Sequence, residues 1–259
     1  MSKASSRKKD NSEQNRGASK RPTKKEARRK SNYRFKKARE VKIYVGKQCT
    51  KVTKCKKLSC YYCRAKNQRT FTRARYRSLE AALSRDPGNW AFLTIVPSFG
   101  RTEVGSEPKG GLRKFNDKVA RQMRAVDPNL SAVCYVDVSL NIGLDGSQYW
   151  QWHVHAVVTK LQDPARACLR KAFKGNWCRK PVMIKKIYDV TGLLEYISKP
   201  DLFLREDVRD EMTGKKGTRT RSMPVRDELR LMSVLSQWRV TQRNFEIRDP
   251  LKNIKSLSS

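Results

Sequence analysis

Long apolar runs are missing from this 259-residue chain. The longest, such as residues 91–96, fall far short of the ~20 residues that a bilayer-spanning helix requires, so no membrane partner is expected. The first 40 residues hold no apolar segment of the ~7–15 residues a secretory signal uses, and the expected compartment is a reducing cytoplasm. Acidic residues are also few: 24 Asp and Glu stand against 59 Lys and Arg, a formal net charge of +35. Such an excess gains free energy by displacing counterions from a polyanion, and nucleic acid is the usual one. Histidine is scarcer still, with two in the chain. A hydrophobic content of 37% excludes a wholly disordered chain and suffices for one core.

Residues 1–40 are almost entirely Lys, Arg, Ser, Asn and Gln, with runs such as Lys24-Lys25-Glu26-Ala27-Arg28-Arg29-Lys30. Too few apolar groups are present to offset the entropy of ordering. The expectation is a disordered basic arm that touches phosphates without specificity, or that only solubilises the chain. From Val41 the composition changes. Cys49, Cys55, Cys60 and Cys63 fall within fifteen residues, spaced C-x5-C-x4-C-x2-C, and define a Cys-rich unit over 41–66. In a reducing compartment this clustering favours thiolate ligation, and a structural Zn²⁺ held by four sulfurs would order a segment too short and polar to fold alone. Unliganded thiols or a redox pair are the alternative. Cys134, Cys168 and Cys178 stand apart and read as packing residues.

Residues 64–86 carry a loose helical pattern that stops at Asp86-Pro87-Gly88, and the apolar run before Pro97 reads as a strand buried on both faces. Leu112, Phe115, Val119, Met123 and Val126 recur at helical spacing and end at Asp127-Pro128. Two period-two segments follow. In 132–140, Ala132, Cys134, Val136, Val138 and Leu140 alternate with more polar positions; in 150–158, Trp150, Trp152, Val154, Ala156 and Val158 do the same. Gly143 and Asp145-Gly146 between them suit an antiparallel hairpin. A helix near Ala165, a strand over 181–188 and a helix ending near Pro200 complete the order β-α-β-β-α-β. That order predicts an α+β fold with a ferredoxin-like, split βαβ antiparallel sheet over 67–200. A helix marked by Leu229, Met232, Leu235 and Trp238 is expected in a C-terminal helical region and tail over 201–259.

Both histidines sit in Trp152-His153-Val154-His155-Ala156. On a strand, residues i and i+2 share a face, so both rings can reach one ion. Asp137 lies on the corresponding face of the partner strand. Two imidazoles and a carboxylate suit a divalent ion that keeps positions open for substrate; satisfied histidines on an exposed strand are the alternative. A metal of this kind on a basic protein points to phosphodiester chemistry. Tyr196 is the candidate nucleophile, one helical turn from Lys199, and a phenol needs such a nearby cation to attack. Tyr188 is its rival. Trp150, Trp152 and Tyr135 offer either base stacking or core packing.

Phe92-Leu93-Thr94-Ile95, His153-Val154-His155 and Tyr196-Ile197-Ser198-Lys199, in that order, resemble motifs I, II and III of the HUH endonucleases, most closely the Rep-type initiators of rolling-circle plasmids. The resemblance covers roughly residues 49–200, with 67–200 as the nicking domain. It implies a single-strand DNA nickase that uses Mg²⁺ or Mn²⁺. The tyrosine attacks origin DNA to form a 5′-phosphotyrosine, the freed 3′-OH primes a host polymerase assisted by a host helicase, and the same enzyme rejoins the displaced strand. Carried over by residue, His153 and His155 match the metal pair and Tyr196 the nucleophile. Lys199 matches the assisting base, and Thr94 a supporting position. Asp137 stands where relatives commonly have Glu. Where several relatives carry a second acid for terminal hydrolysis this chain has Gly192, which leaves Glu195, Asp189 or a second protomer for that step. Relaxases add a third histidine that is lacking here, and transposases of this superfamily need neither basic arm nor knuckle. The competing readings are a non-catalytic zinc-containing basic protein that coats nucleic acid, and an HUH transposase or relaxase.

Overall fold

A computed structural model of the chain describes residues 22–46, 48–49, 54–159, 161–174, 178, 180–209 and 212–248. The helices are α1 (Lys24–Glu40), α2 (Tyr61–Arg85), α3 (Gly111–Val126), α4 (Asp163–Ala172), α5 (Val190–Ile197) and α6 (Val225–Leu235). The strands are β1 (Trp90–Ile95), β2 (Arg101–Glu103), β3 (Ala132–Ile142), β4 (Gln148–Thr159), β5 (Val182–Lys186), β6 (Phe203–Arg209), β7 (Lys216–Ser222) and β8 (Asn244–Ile247). All eight strands join one sheet in the order β5-β1-β4-β3-β6-β7, with β2 beside β4 and β8 beside β3. Every pairing is antiparallel except β3 with β6. The fold is therefore α+β around an antiparallel-rich sheet.

The β3–β4 hairpin is its spine, and period-two alternation sorts the side chains. Val136, Val138, Leu140, Trp150, Trp152 and Val154 face the main core with Leu112, Phe115, Val119 and Met123 of α3 and Leu229, Met232 and Leu235 of α6. Fully burying side chains of this size stabilises by roughly 1.5–3 kcal/mol each. Gly146, at φ +76°, makes the turn between the strands, a backbone that favours glycine. On the opposite face Val133, Tyr135 and Val157 pack with Phe71 and Leu79 of α2 and Leu194 and Ile197 of α5. This second layer removes the alternative of histidines on an exposed strand: Asp137, Ser139, Gln151, His153 and His155 are all buried. Alternation marks two faces; it does not reveal that a 25-residue helix covers the second.

Other expectations also change. Residues 24–40, read as part of a disordered arm, form α1. Thr23 caps it: its hydroxyl accepts from Glu26 N and the Glu26 carboxylate accepts from Thr23 N. Ala27, Ser31, Arg34, Phe35 and Ala38 are buried along one side, at helical spacing that the surrounding lysines and arginines mask. The Glu228 carboxylate of α6 receives Arg34 at 2.7 Å and stands 3.5 Å from Arg64 of α2, joining three helices. Residues 1–21 of the expected arm, and 249–259 of the expected tail, lie outside the described residues. The region after residue 200, read as helical, contains α6 but also β6, β7 and β8. Among the isolated cysteines, Cys134 packs in the core and Cys178 is half-buried. Cys168 is exposed, so the packing role expected for it does not hold. Among the described residues no helix is long and apolar enough to cross a membrane.

Candidate metal centres and active site

Register places the buried polar group. Asp137 of β3 faces His153 of β4, Tyr135 faces His155, and Thr94 of β1 faces His155 from the other side. Asp137 is 3% exposed and each histidine 1%. The Oδ2 atom of Asp137 lies 3.6 Å from His153 Nε2 and 4.0 Å from His155 Nε2. Donor atoms around an ion bound at ~2.1 Å sit ~3–4 Å apart, so this spacing fits a divalent cation.

The rings are held from behind. A carbonyl can only accept, so His153 Nδ1 carries the proton it donates to Gln151 O at 3.1 Å, and its Nε2 keeps the lone pair. His155 Nδ1 pairs with the Thr94 hydroxyl at 3.1 Å. Both Nε2 atoms are buried with no hydrogen-bond partner. Leaving such atoms unpaired costs about 1–3 kcal/mol each, which ligation would offset. Burial pushes the His153 imidazole down to about 4, against the pull of Asp137, and pushes His155 well below the ordinary range, with His153 and Lys199 adding to the effect. The rings are therefore neutral at physiological pH, as ligands must be. Burial alone would raise Asp137, but Lys199, His153, Arg243 and His155 hold its carboxyl well below the usual range.

The two oxygens of Asp137 have separate duties. Oδ1 accepts from Val138 N at 2.9 Å and Arg243 Nη2 at 3.0 Å, while Oδ2 faces the histidines and Lys199 Nζ at 3.3 Å. Arg243 is 5% exposed; it also donates to Val136 O at 2.8 Å and lies 4.5 Å from the Tyr135 ring. It is the site residue that sequence reading missed, and one arginine among 59 cationic residues carries no signal of its own.

Tyr196 stands beside this group. Its ring centroid is 5.2 Å from that of His155, and Lys199 Nζ is 4.5 Å from the Tyr196 ring. The sheet and the α5 terminus thus bring Asp137, His153, His155, Tyr196 and Lys199 together. Tyr188, the rival, is 68% exposed and partnered by Lys186. Trp150, Trp152 and Tyr135 are buried in the cores, which withdraws them as stacking platforms. At position 192 an added Cβ would meet Asp189 Oδ2 at 2.3 Å, because the Asp189 carboxylate caps α5 by accepting from Gly192 N.

The second cluster lies at the start of α2. Sulfur–sulfur distances are 3.4 Å for Cys49–Cys55, 3.3 Å for Cys49–Cys63, 3.7 Å for Cys55–Cys63 and 3.6 Å for Cys60–Cys49. A tetrahedral ion with ~2.3 Å bonds to sulfur sets its ligands ~3.8 Å apart, so four thiolates could close on a metal here with little movement. None of these cysteines is in a disulfide. Hydrogen bonds from Cys55 and Cys63 pull the Cys60 thiol well below its usual range. The sulfurs of the one cluster and the Asp-His-His donors of the other each lie within 4.8 Å of one another. No family model, no curated protein and no solved structure matches this chain.

Proposed function

We propose that this protein is a metal-dependent DNA nickase and strand transferase of the rolling-circle initiator type, with Tyr196 as its nucleophile. One observation carries the reading: two buried, unpartnered Nε2 atoms converge with Asp137 Oδ2 beside the ring of Tyr196. The strand order β5-β1-β4-β3, with α3 and α4 in the crossovers, supports a split βαβ core whose β3–β4 pair is the HUH hairpin. The charge of +35 suits a polyanionic substrate.

His153, His155 and Asp137 would hold Mg²⁺ or Mn²⁺, whose bound form supplies polarisation of the phosphodiester. The remaining work falls to the chain. Lys199 Nζ stands 4.5 Å from the Tyr196 ring centroid, where its ammonium can accompany the attacking oxygen and the phosphate. The phenolic oxygen attacks phosphorus, the bond to the 3′ oxygen breaks, and the proton lost by the phenol balances the one gained by the leaving 3′-OH. The tyrosyl ester keeps the phosphodiester's energy, so the reverse attack by a 3′-OH reseals DNA without ATP. Thr94 and Gln151 fix the imidazoles, and Arg243 fixes Asp137. Zn²⁺ in the Cys49–Cys55–Cys60–Cys63 cluster would have a structural role at the mouth of α2.

The test is a pool of 3′-labelled, random-sequence single-stranded oligonucleotides incubated with the protein and Mn²⁺. An SDS-resistant labelled adduct is expected, abolished by Tyr196→Phe and reduced at least 100-fold by His153→Ala, with oligonucleotide affinity within about twofold of the parent. An adduct that persists in Tyr196→Phe and vanishes in Tyr188→Phe transfers the nucleophile. Tight binding without any adduct favours the non-catalytic coat protein.

A further inference from the structure

Strand β7 buries nothing of its own. All seven of its residues are exposed at the sheet edge, and residues 215–222, Lys-Lys-Gly-Thr-Arg-Thr-Arg-Ser, hold four cations and no acid. Such a strand adds no core to the fold, and it presents hydroxyls and positive charge to solvent.

The register shows which side of this ribbon looks toward the metal-ligand group. Strand β6 runs parallel to β3 with Phe203 beside Ser139 and Arg205 beside Asn141. Paired residues share a face, and Asp137, Ser139 and Asn141 lie on one face of β3. Phe203, Arg205, Asp207 and Arg209 therefore continue the Asp137 face, and their partners on β7 are Ser222, Thr220, Thr218 and Lys216. Leu204, Glu206 and Val208 face the other way with Arg221, Arg219 and Gly217. Leu204 confirms the division, being buried in the main core, and Arg221 is 3.4 Å from Glu206 on that reverse side.

Continuity with the site is direct. Lys199 Nζ lies 4.8 Å from the Phe203 ring and 3.3 Å from Asp137 Oδ2. Arg205 follows on the same face, beside Asn141 of β3. Beyond it the face carries Arg209, Lys216, Thr218, Thr220 and Ser222, with one acid, Asp207, that accepts from Thr218 Oγ1 at 3.4 Å. Same-face positions along a strand recur every ~6.7 Å, close to the spacing of successive phosphates in an extended polynucleotide. Cations and hydroxyls bind phosphate oxygens without reading base edges.

We propose that the site-facing side of the β6–β7 ribbon binds the backbone phosphates of a single DNA strand running into the Asp137–His153–His155 centre, and that the reverse side does not. The inference rests on the nickase reading and specifies where its substrate lies.

The test compares two full-length variants of equal charge change: Arg209→Gln/Lys216→Gln on the site-facing side and Arg219→Gln/Arg221→Gln on the reverse. Binding of a fluorescein-labelled 30-nucleotide oligo-dT is followed by anisotropy over a potassium chloride series, with circular dichroism to verify the fold. The site-facing pair is expected to lose at least tenfold in affinity and to flatten the slope of log K against log salt by about 1.4, as two lost phosphate contacts require. The reverse pair should stay within threefold, with its slope unchanged. Equal losses from both pairs, or no loss from either, would overturn the track even if the Tyr196 adduct still forms, leaving the nickase reading intact. The expected asymmetry without any adduct would uphold the track and sink the nickase. A larger loss on a hairpin duplex than on oligo-dT would reassign the ribbon to double-stranded DNA.

Discussion

Arg243 shows how much one side chain can decide. It is the buried cationic partner of Asp137 Oδ1, and removing it leaves that oxygen with Val138 N alone and takes a donor from the Val136 carbonyl. Deleting one member of a buried ion pair costs about 3–5 kcal/mol, so Arg243→Met should lower the urea midpoint by that equivalent. Rescue by Arg243→Lys should be partial, since an ammonium cannot serve both acceptors in one plane. The histidines set the acid limit. Their native pKa values lie below the unfolded value of ~6.5, so the unfolded chain takes up protons that the fold refuses. That stability is present in full above about pH 6.5 and is lost as pH falls toward 4. Urea melts in metal-free buffer should show the decline, and His153→Gln should flatten it; an unchanged midpoint between pH 7.5 and 4.5 would contradict the burial argument. His153, His155 and Asp137 were legible because strand periodicity puts i and i+2 on one face. Arg243 was not, because it meets a partner 106 residues upstream through folding alone.

At the scale of elements, caps and coverage account for what the pattern hid. Gly192 is the third residue of α5, and a Cβ there meets only the movable Asp189 carboxylate while its N–H still serves the cap, so Gly192→Glu should change stability by no more than about 1 kcal/mol, measured by thermal melting. The central hairpin and helix α3 could be read in advance because each repeats apolar residues at its own period, and the partner strand β1 because it is a short apolar run before Pro97. Helix α1 could not, because its buried positions other than Phe35 are small or themselves charged, as Ala27, Ser31 and Arg34 show. Strands β6 and β7 were illegible for a related reason. Their inward positions, such as Leu204, are outnumbered by charges placed for solvent. The short β8 gains its place from its pairing with β3, helped by the Arg75–Glu246 ion pair, rather than from its own four residues.

Across the whole molecule the two clusters are mechanically joined. Beside the cysteines, Leu58 N donates to Trp238 O and Val240 N donates to Lys56 O, and three residues further on Arg243 grips Asp137. Disrupting the sulfur cluster should therefore be felt at the histidines. Cys60→Ser/Cys63→Ser is expected to lose one equivalent of zinc by elemental analysis and to weaken Mn²⁺ binding about tenfold in titrations followed by electron paramagnetic resonance. Unchanged Mn²⁺ affinity in the zinc-free variant would show that the two centres are independent. The same connection bears on how the protein is made. Ala132 of β3 is paired in register with Ile247, so this edge of β3 stays open until residues 244–247 have been made. A nascent chain that already displays both imidazoles and the phenol still lacks the arginine that orients Asp137. A centre complete in its ligands thus still depends, for the orientation of its carboxylate, on a residue 106 positions downstream.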